Sequence, residues 1–347
     1  MKLRRLLFAF GLLTFQFAAA AIEARQIEEA RAAWQVTRFD ITADASSATS
    51  AARALPARAV LSARNVGAGV GRTFTIRLSP GAKLNSASVG GADARFTSRN
   101  DERNKLQMVQ VTLPAPVEPG GSVQVAFDYQ LPFNENSGIA SFSSEGVQLL
   151  PLSHWYPMPN TPLAPRGADY APLRLAVTGL ASGESFVSTG KPSGNAFEQT
   201  LNAQPFFLTG KWETVEGAGD ARGISAMLFA GAGAEERRQA EALIALAAAA
   251  RAFYASLLGP APETPVRLVG VRRGAGFDMS GTLLLDHAAF RRAKPDSVTA
   301  LQIAESVARL WIGGAKGVQE EGSGVVREGL ARLLATLFLE KQFGKEV

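Results

Sequence analysis

Four residues near the end of this sequence carry charge and hydroxyl chemistry at suggestive spacings. Glu305 and Arg309 stand four apart, Ser306 follows Glu305, and Glu328 lies 19 positions beyond Arg309. On a helix, Glu305 and Arg309 share one face; an exposed pair of that kind contributes about 0.2–0.5 kcal/mol. An arginine fork held between carboxylates can bridge both in bidentate fashion. Catalytic zinc instead needs three protein ligands, usually His nitrogen, thiolate or carboxylate, and two His four apart on one helix give the rigid pair. The chain has two His and no Cys. His154, in Ser153-His154-Trp155-Tyr156-Pro157, and His287, in Leu285-Asp286-His287-Ala288, each stand alone and read as packed or solvated. A site of carboxylates only suits calcium or magnesium better than zinc. Ser306 has no His base near it in sequence, so a serine nucleophile is not expected. Gly274-Ala275-Gly276 has neither GxGxxG nor Walker spacing and predicts no phosphate site. Trp155, Tyr156 and Trp212 are expected in the core, with a groove lining as the alternative.

The elements that must position these residues change character along the chain. Phe74, Ile76 and Leu78 alternate with polar neighbours, as do Val109, Val111 and Leu113, and Val123, Val125, Phe127 and Tyr129. Period two marks half-buried strands. Leu173-Leu175-Val177 and Phe206-Leu208 follow, and Pro114 to Gly121 reads as a turn-rich connection. Short strands with such turns predict an antiparallel saddle or sandwich domain over residues 34–218, with no helical period between about Trp34 and Thr214. After Val215-Glu216-Gly217-Ala218-Gly219 the composition shifts, and 219–347 reads as a second domain of mixed α and β. Ala234 to Leu258 is rich in helix formers and is stopped by Gly259-Pro260. Val266 to Val271 and Thr282 to Asp286 read as strands. Asp296 or Ser297 is expected to cap a helix running to about Gly313, and Ser323 the next, to Phe343.

The N-terminal residues read as a signal peptide over 1–21. Lys2, Arg4 and Arg5 form a basic n-region, Leu6 to Phe15 is apolar, and Ala18 to Ala21 supplies small residues for cleavage. An uncleaved anchor is the alternative. No later segment is read as long and apolar enough to cross a bilayer. The formal charge is +5 and falls to +2 without those three basic residues, too little to predict a nucleic-acid partner or an acidic surface. With no Cys, neither a disulfide nor a lipid-modified cysteine is available.

The segment Glu305 to Gly314, ESVARLWIGG, resembles the zinc helix HELAHLWWGG of the membrane alanyl aminopeptidase family of gluzincin metallopeptidases. Leu310-Trp311-Ile312-Gly313-Gly314 lies over LWWGG, and Arg327-Glu328-Gly329-Leu330-Ala331 resembles the second helix, EGLA, with Glu328 at the position of the third ligand. In that register Glu305 and Arg309 take the places of the two His and Ser306 that of the catalytic Glu. A second register, Ala304-Glu305-Ser306-Val307-Ala308, keeps the Glu and puts Ala at both His positions. Leu113 to Tyr129, Ser153 to Asn160 and Phe253 to Pro262 are similar to family segments in the same order. The resemblance implies an N-terminal β saddle followed by an incomplete thermolysin-like α+β domain, shortened at its C-terminus. It places Arg273 to Gly281 at the substrate edge, with Gly274, Gly276, Phe277, Asp278 and Met279 as candidates, in a sequence that is not GAMEN. It also implies that Arg309 sits between Glu305 and Glu328, one permanent cation in place of a divalent one.

The expected function is therefore that of an exported, periplasmic or extracellular pseudopeptidase without a cofactor, binding a peptide or protein. One alternative is an active zinc aminopeptidase with Glu305 and Glu328 on the metal. Another is a structural β-rich envelope protein.

Overall fold

The computed structural model describes residues 31–47, 54–132, 136–143, 146–313 and 319–344. The expected signal peptide lies outside them.

The first unit is built of strands. Its largest sheet has eight, in the spatial order 191–193, 196–203, 171–178, 34–44, 54–65, 122–132, 83–89 and 92–93. Neighbours run antiparallel except Trp34–Asp44 with Ala171–Thr178, which are parallel. A four-stranded sheet orders 158–159, 71–78, 106–117 and 96–101, and another orders 185–187, 207–210, 146–149 and 140–143. Inward residues of all three, among them Phe39, Leu61, Phe74, Val109, Phe127 and Phe207, form one core. The strand expected to end near Leu113 runs on to Val117, through Pro114 and Pro116. The register slips between Gly71 and Thr73 opposite it, and pairing on its other side stops at Val111. The two prolines thus sit where no regular ladder requires their N–H. Trp155 and Tyr156 are buried in this core, and the Trp155 indole donates to the Pro205 carbonyl at 3.1 Å.

The second unit has a five-stranded mixed sheet, ordered 212–216, 224–229, 266–271, 282–286 and 278–279, with the central three parallel. The expected boundary at 218/219 falls in the turn between its first two strands. Val269, Val271 and Leu284 point into the core of the β unit, while Val266, Leu268, Leu283 and Leu285 face the helices. Coverage on both faces is why these strands read as largely apolar runs, interrupted by the buried Ser225 and Arg267.

Three helices close the other side: α1 (Ala234–Leu258), α2 (Ser297–Ile312) and α3 (Ser323–Phe343). Contrary to the sequence expectation, α1 is long and apolar enough to span a bilayer. Its Leu243, Ile244, Ala247, Ala250 and Tyr254 are buried in the helical core, as in a core helix of an α/β layer. Asp296 caps α2, accepting from the Thr299 N–H at 2.7 Å. Ser323 does not cap α3: Gly322, at φ +80°, takes that place, and Ser323 is the first helical residue.

Candidate functional site

The α2 helix presents two faces. Ala300, Ile303, Ala304, Val307 and Ala308 are buried against the sheet and the other helices. The second register would thus aim both ligand positions, Ala304 and Ala308, into packed core. Glu305 and Arg309 lie on the face turned to α3, and Ser306 on the side turned to the edge of the sheet.

That edge is a hairpin. Asp278–Met279 pairs with Thr282–Leu283 through Ser280 at φ +43° and Gly281 at φ +92°. Two positive φ values in a two-residue connection are those of a primed turn, whose twist suits the strands. Gly281 is required twice over: besides its φ, a Cβ there would lie 2.5 Å from the Pro265 carbonyl oxygen.

Arg309 is the centre of the cluster. Its Nη1 donates to Asp278 Oδ2 at 3.1 Å, and its Nε and Nη2 donate to Glu328 Oε2 at 3.1 and 2.8 Å. Glu305 Oε2 is 3.7 Å from Nη2. The Ser306 hydroxyl donates to the other oxygen of Asp278 at 2.6 Å. Arg332, one turn beyond Glu328 on α3, donates to Glu305 Oε1 at 2.5 Å. Each helix therefore carries a Glu-x-x-x-Arg pair, and the pairs cross: Arg309 meets Glu328 while Arg332 meets Glu305. Burial raises the Asp278 pKa above its ordinary value, with Arg309 and Ser306 pulling it back. Burial works against the charge of Arg309, but Asp278 and Glu328 outweigh it, and its pKa is raised.

A cleft of about 230 Å³ opens beside the cluster, lined by Tyr170, Asn202, Gly276, Asp278, Met279, Ser280, Arg309, Gly313, Arg327 and Glu328. Three of the five substrate-edge candidates, Gly276, Asp278 and Met279, line it. Phe277 instead packs edge-to-face on Phe206 at 4.9 Å. Gly274 lies against Gly138 and Gln148. Neither His lines the cleft: His154 is in a left-handed turn of the β unit, and His287 Nε2 is 3.4 Å from Glu236. Burial lowers the pKa of both. Among the described residues, no group of three or more His, Cys, Asp or Glu is arranged to hold a metal ion.

Sequence reasoning missed Arg332, although the repeated Glu-x-x-x-Arg spacing signals it. It placed Asp278 at the edge of the cleft but gave it no part in the ion cluster.

No family model matches the sequence, and no curated protein matches it. Solved structures do match in fold. An M1 zinc metallopeptidase from Deinococcus radiodurans is similar at 16% identity and a TM-score of 0.61, over 89% of this chain and 72% of that one. A mutant of that enzyme bound to Tyr-Ser-Ala substrate is similar at 15% and 0.64, over 90% and 72%. Yeast LTA4 hydrolase in complex with bestatin is similar at 10% and 0.66, over 92% of this chain and 51% of that one. The fold is that of the M1 zinc metallopeptidases, a β domain followed by a unit of mixed sheet and helices.

The fold implies zinc, and the donor set here does not fit it. Both oxygens of Asp278 and both of Glu305 are already engaged by Ser306, Arg309 and Arg332. Glu328 gives Oε2 to Arg309, and its Oε1 is 3.4 Å from Arg327 Nε. The Arg309 guanidinium lies among these carboxylates and occupies their oxygens.

Proposed function

We propose that this is an exported, peptidase-like protein that binds a peptide or protein segment in the cleft beside Arg309 without hydrolysing it. The observation that carries the reading is the Arg309 guanidinium bonded to Asp278 and Glu328. A metal ion lowers the pKa of a bound water and polarises a carbonyl. A guanidinium only donates hydrogen bonds and stays charged. It preserves positive charge at the cleft and supplies no nucleophile. Glu305 and Glu328, the ligands of an alternative zinc enzyme, would first have to release Arg332 and Arg309. Export rests on the basic n-region and the Ala-rich site of residues 1–21.

Metal analysis of the protein purified from zinc-supplemented medium tests the reading. The expected result is no stoichiometric zinc and no chelator-sensitive hydrolysis of aminoacyl or peptide substrates. One tightly held zinc per chain, or activity lost to chelator and restored by zinc, overturns it. N-terminal sequencing is expected to find a chain beginning near Ala21; intact Met1 on soluble cytoplasmic protein overturns the export assignment.

A further inference from the structure

We propose that the cleft takes the C-terminal carboxylate of a peptide, held between the Arg327 guanidinium and the Tyr170 hydroxyl. The inference rests on the peptide-binding reading and adds which end of the peptide is recognised.

The two carboxylates that line the cleft already face cations or a hydroxyl: Asp278 meets Arg309 and Ser306, and Glu328 meets Arg309 and Arg327. The donors are not used up. Arg327, on the first turns of α3, touches Glu328 only through Nε, at 3.4 Å. Its terminal nitrogens have no partner among the described residues. The Tyr170 hydroxyl makes no hydrogen bond among them either. Both residues line the cleft and also the smaller pocket that continues past Ser323. Burial and the neighbouring Asp169 charge raise the Tyr170 pKa, with Arg327 working against them, so the phenol keeps its proton and can donate it.

A planar carboxylate matches this donor pair. One oxygen or both can meet the free edge of the guanidinium, and the phenol can donate to the other lone pairs. The cleft is below the ~300–1,000 Å³ of a site for a whole drug-sized ligand, so it suits the last residue of a peptide. The sheet edge at Asp278–Met279 lies alongside, where an extended chain leading away from the carboxylate can follow a strand. An acidic side chain carries the same group, and the test separates the two sources.

Equilibrium dialysis of the mature protein against a random tripeptide library without Asp or Glu, with Tyr-Ser-Ala as a defined member, is run with free acids and with C-terminal amides. The amides are expected to bind at least about tenfold more weakly, through loss of a charge-assisted pair. N-acetylation of the acids is expected to change little. Arg327→Gln should abolish the acid–amide difference, and Tyr170→Phe should reduce it with the thermal midpoint unchanged. Equal binding of acids and amides overturns the carboxylate assignment and leaves peptide binding standing. A C-terminal amide bearing a Glu side chain that binds as well as the acids overturns the C-terminal source. Binding of no peptide in either form sinks the proposed function and this inference with it.

Discussion

Ser306 Oγ and Asp278 Oδ1 are 2.6 Å apart, a hydrogen bond from the middle of α2 to the edge strand 28 positions earlier. The Ser306 hydroxyl is spent on a buried carboxylate. Hydrogen bonds to charged groups contribute about 1.5–3 kcal/mol. Ser306→Ala should therefore destabilise the protein by that order in urea titration and leave peptide binding measurable. A change within ±0.5 kcal/mol would mean that Asp278 finds another donor.

Arg309→Ala leaves Asp278 and Glu328 without their shared cation. Removing one partner of a buried pair costs about 3–5 kcal/mol, whereas replacing the whole set by apolar groups of similar size costs much less. Chemical denaturation of Arg309→Ala beside the triple variant Asp278→Leu, Arg309→Met, Glu328→Leu should show that ordering. A loss under about 0.5 kcal/mol for Arg309→Ala would reduce the cluster to a screened surface feature.

The Arg332–Glu305 pair gives a contrasting expectation. Arg332 is 61% exposed. A double-mutant cycle across the pair should return a coupling of about 0.2–1 kcal/mol that fades with added salt. A coupling insensitive to salt would place Arg332 in the core of the cluster.

Acid should act on Asp278 in the unusual direction for a carboxylate beside an arginine. Burial is the largest influence and raises its folded pKa above 3.8. Between 3.8 and that raised value the folded state binds the proton more tightly than the unfolded chain. The contribution of this group to stability then grows as pH falls through the window and is lost as pH rises. The stability of wild type minus that of Asp278→Asn, measured by urea titration across acid pH, should therefore increase toward low pH. A difference that shrinks with acid would show that the pairing with Arg309 dominates over burial.

Gly281→Ala should fail at the hairpin. Its φ is +92°, and a Cβ would be 2.5 Å from the Pro265 oxygen. Substitution at an incompatible backbone position costs more than about 1 kcal/mol, and thermal denaturation should report it. An unchanged midpoint would mean that the turn can re-form without a left-handed residue.

Much of this architecture was legible in local pattern. The Ala-, Glu- and Leu-rich run ending at Gly259 is α1, and Asp296 caps α2 as its side chain allows. The strand around Phe74, Ile76 and Leu78 alternates cleanly. Trp34–Asp44 was harder, because the register slips between Val36 and Arg38 and shifts the apolar phase mid-strand. Ser323 failed as a cap because Gly322 adopts a left-handed conformation that a neighbouring hydroxyl cannot predict. Within the site, the Glu305–Arg309 spacing and the distance to Glu328 were readable. The bond between Arg309 and Asp278 was not, since it joins a helix to a sheet edge and no local period records such a contact. Arg327 and Tyr170 carry no pattern at all; only the folded cleft brings them together.

The hairpin that floors the cleft is tied to the β unit by side chains. Thr189 Oγ1 and Gln199 Nε2 donate to the Ser280 carbonyl at 3.0 and 3.3 Å, and Ser280 Oγ donates to the Asn202 carbonyl at 3.2 Å. Thr282 Oγ1 reaches the Ser188 carbonyl at 3.3 Å, and Arg267 the Gly190 carbonyl at 2.6 Å. Hinge closure needs an interface that can part or slide, and this one is stitched along the edge where a ligand would rest. For the proposed peptide this predicts a single encounter with a ready-made surface: the observed binding rate should rise linearly with ligand concentration, with no plateau set by an opening step.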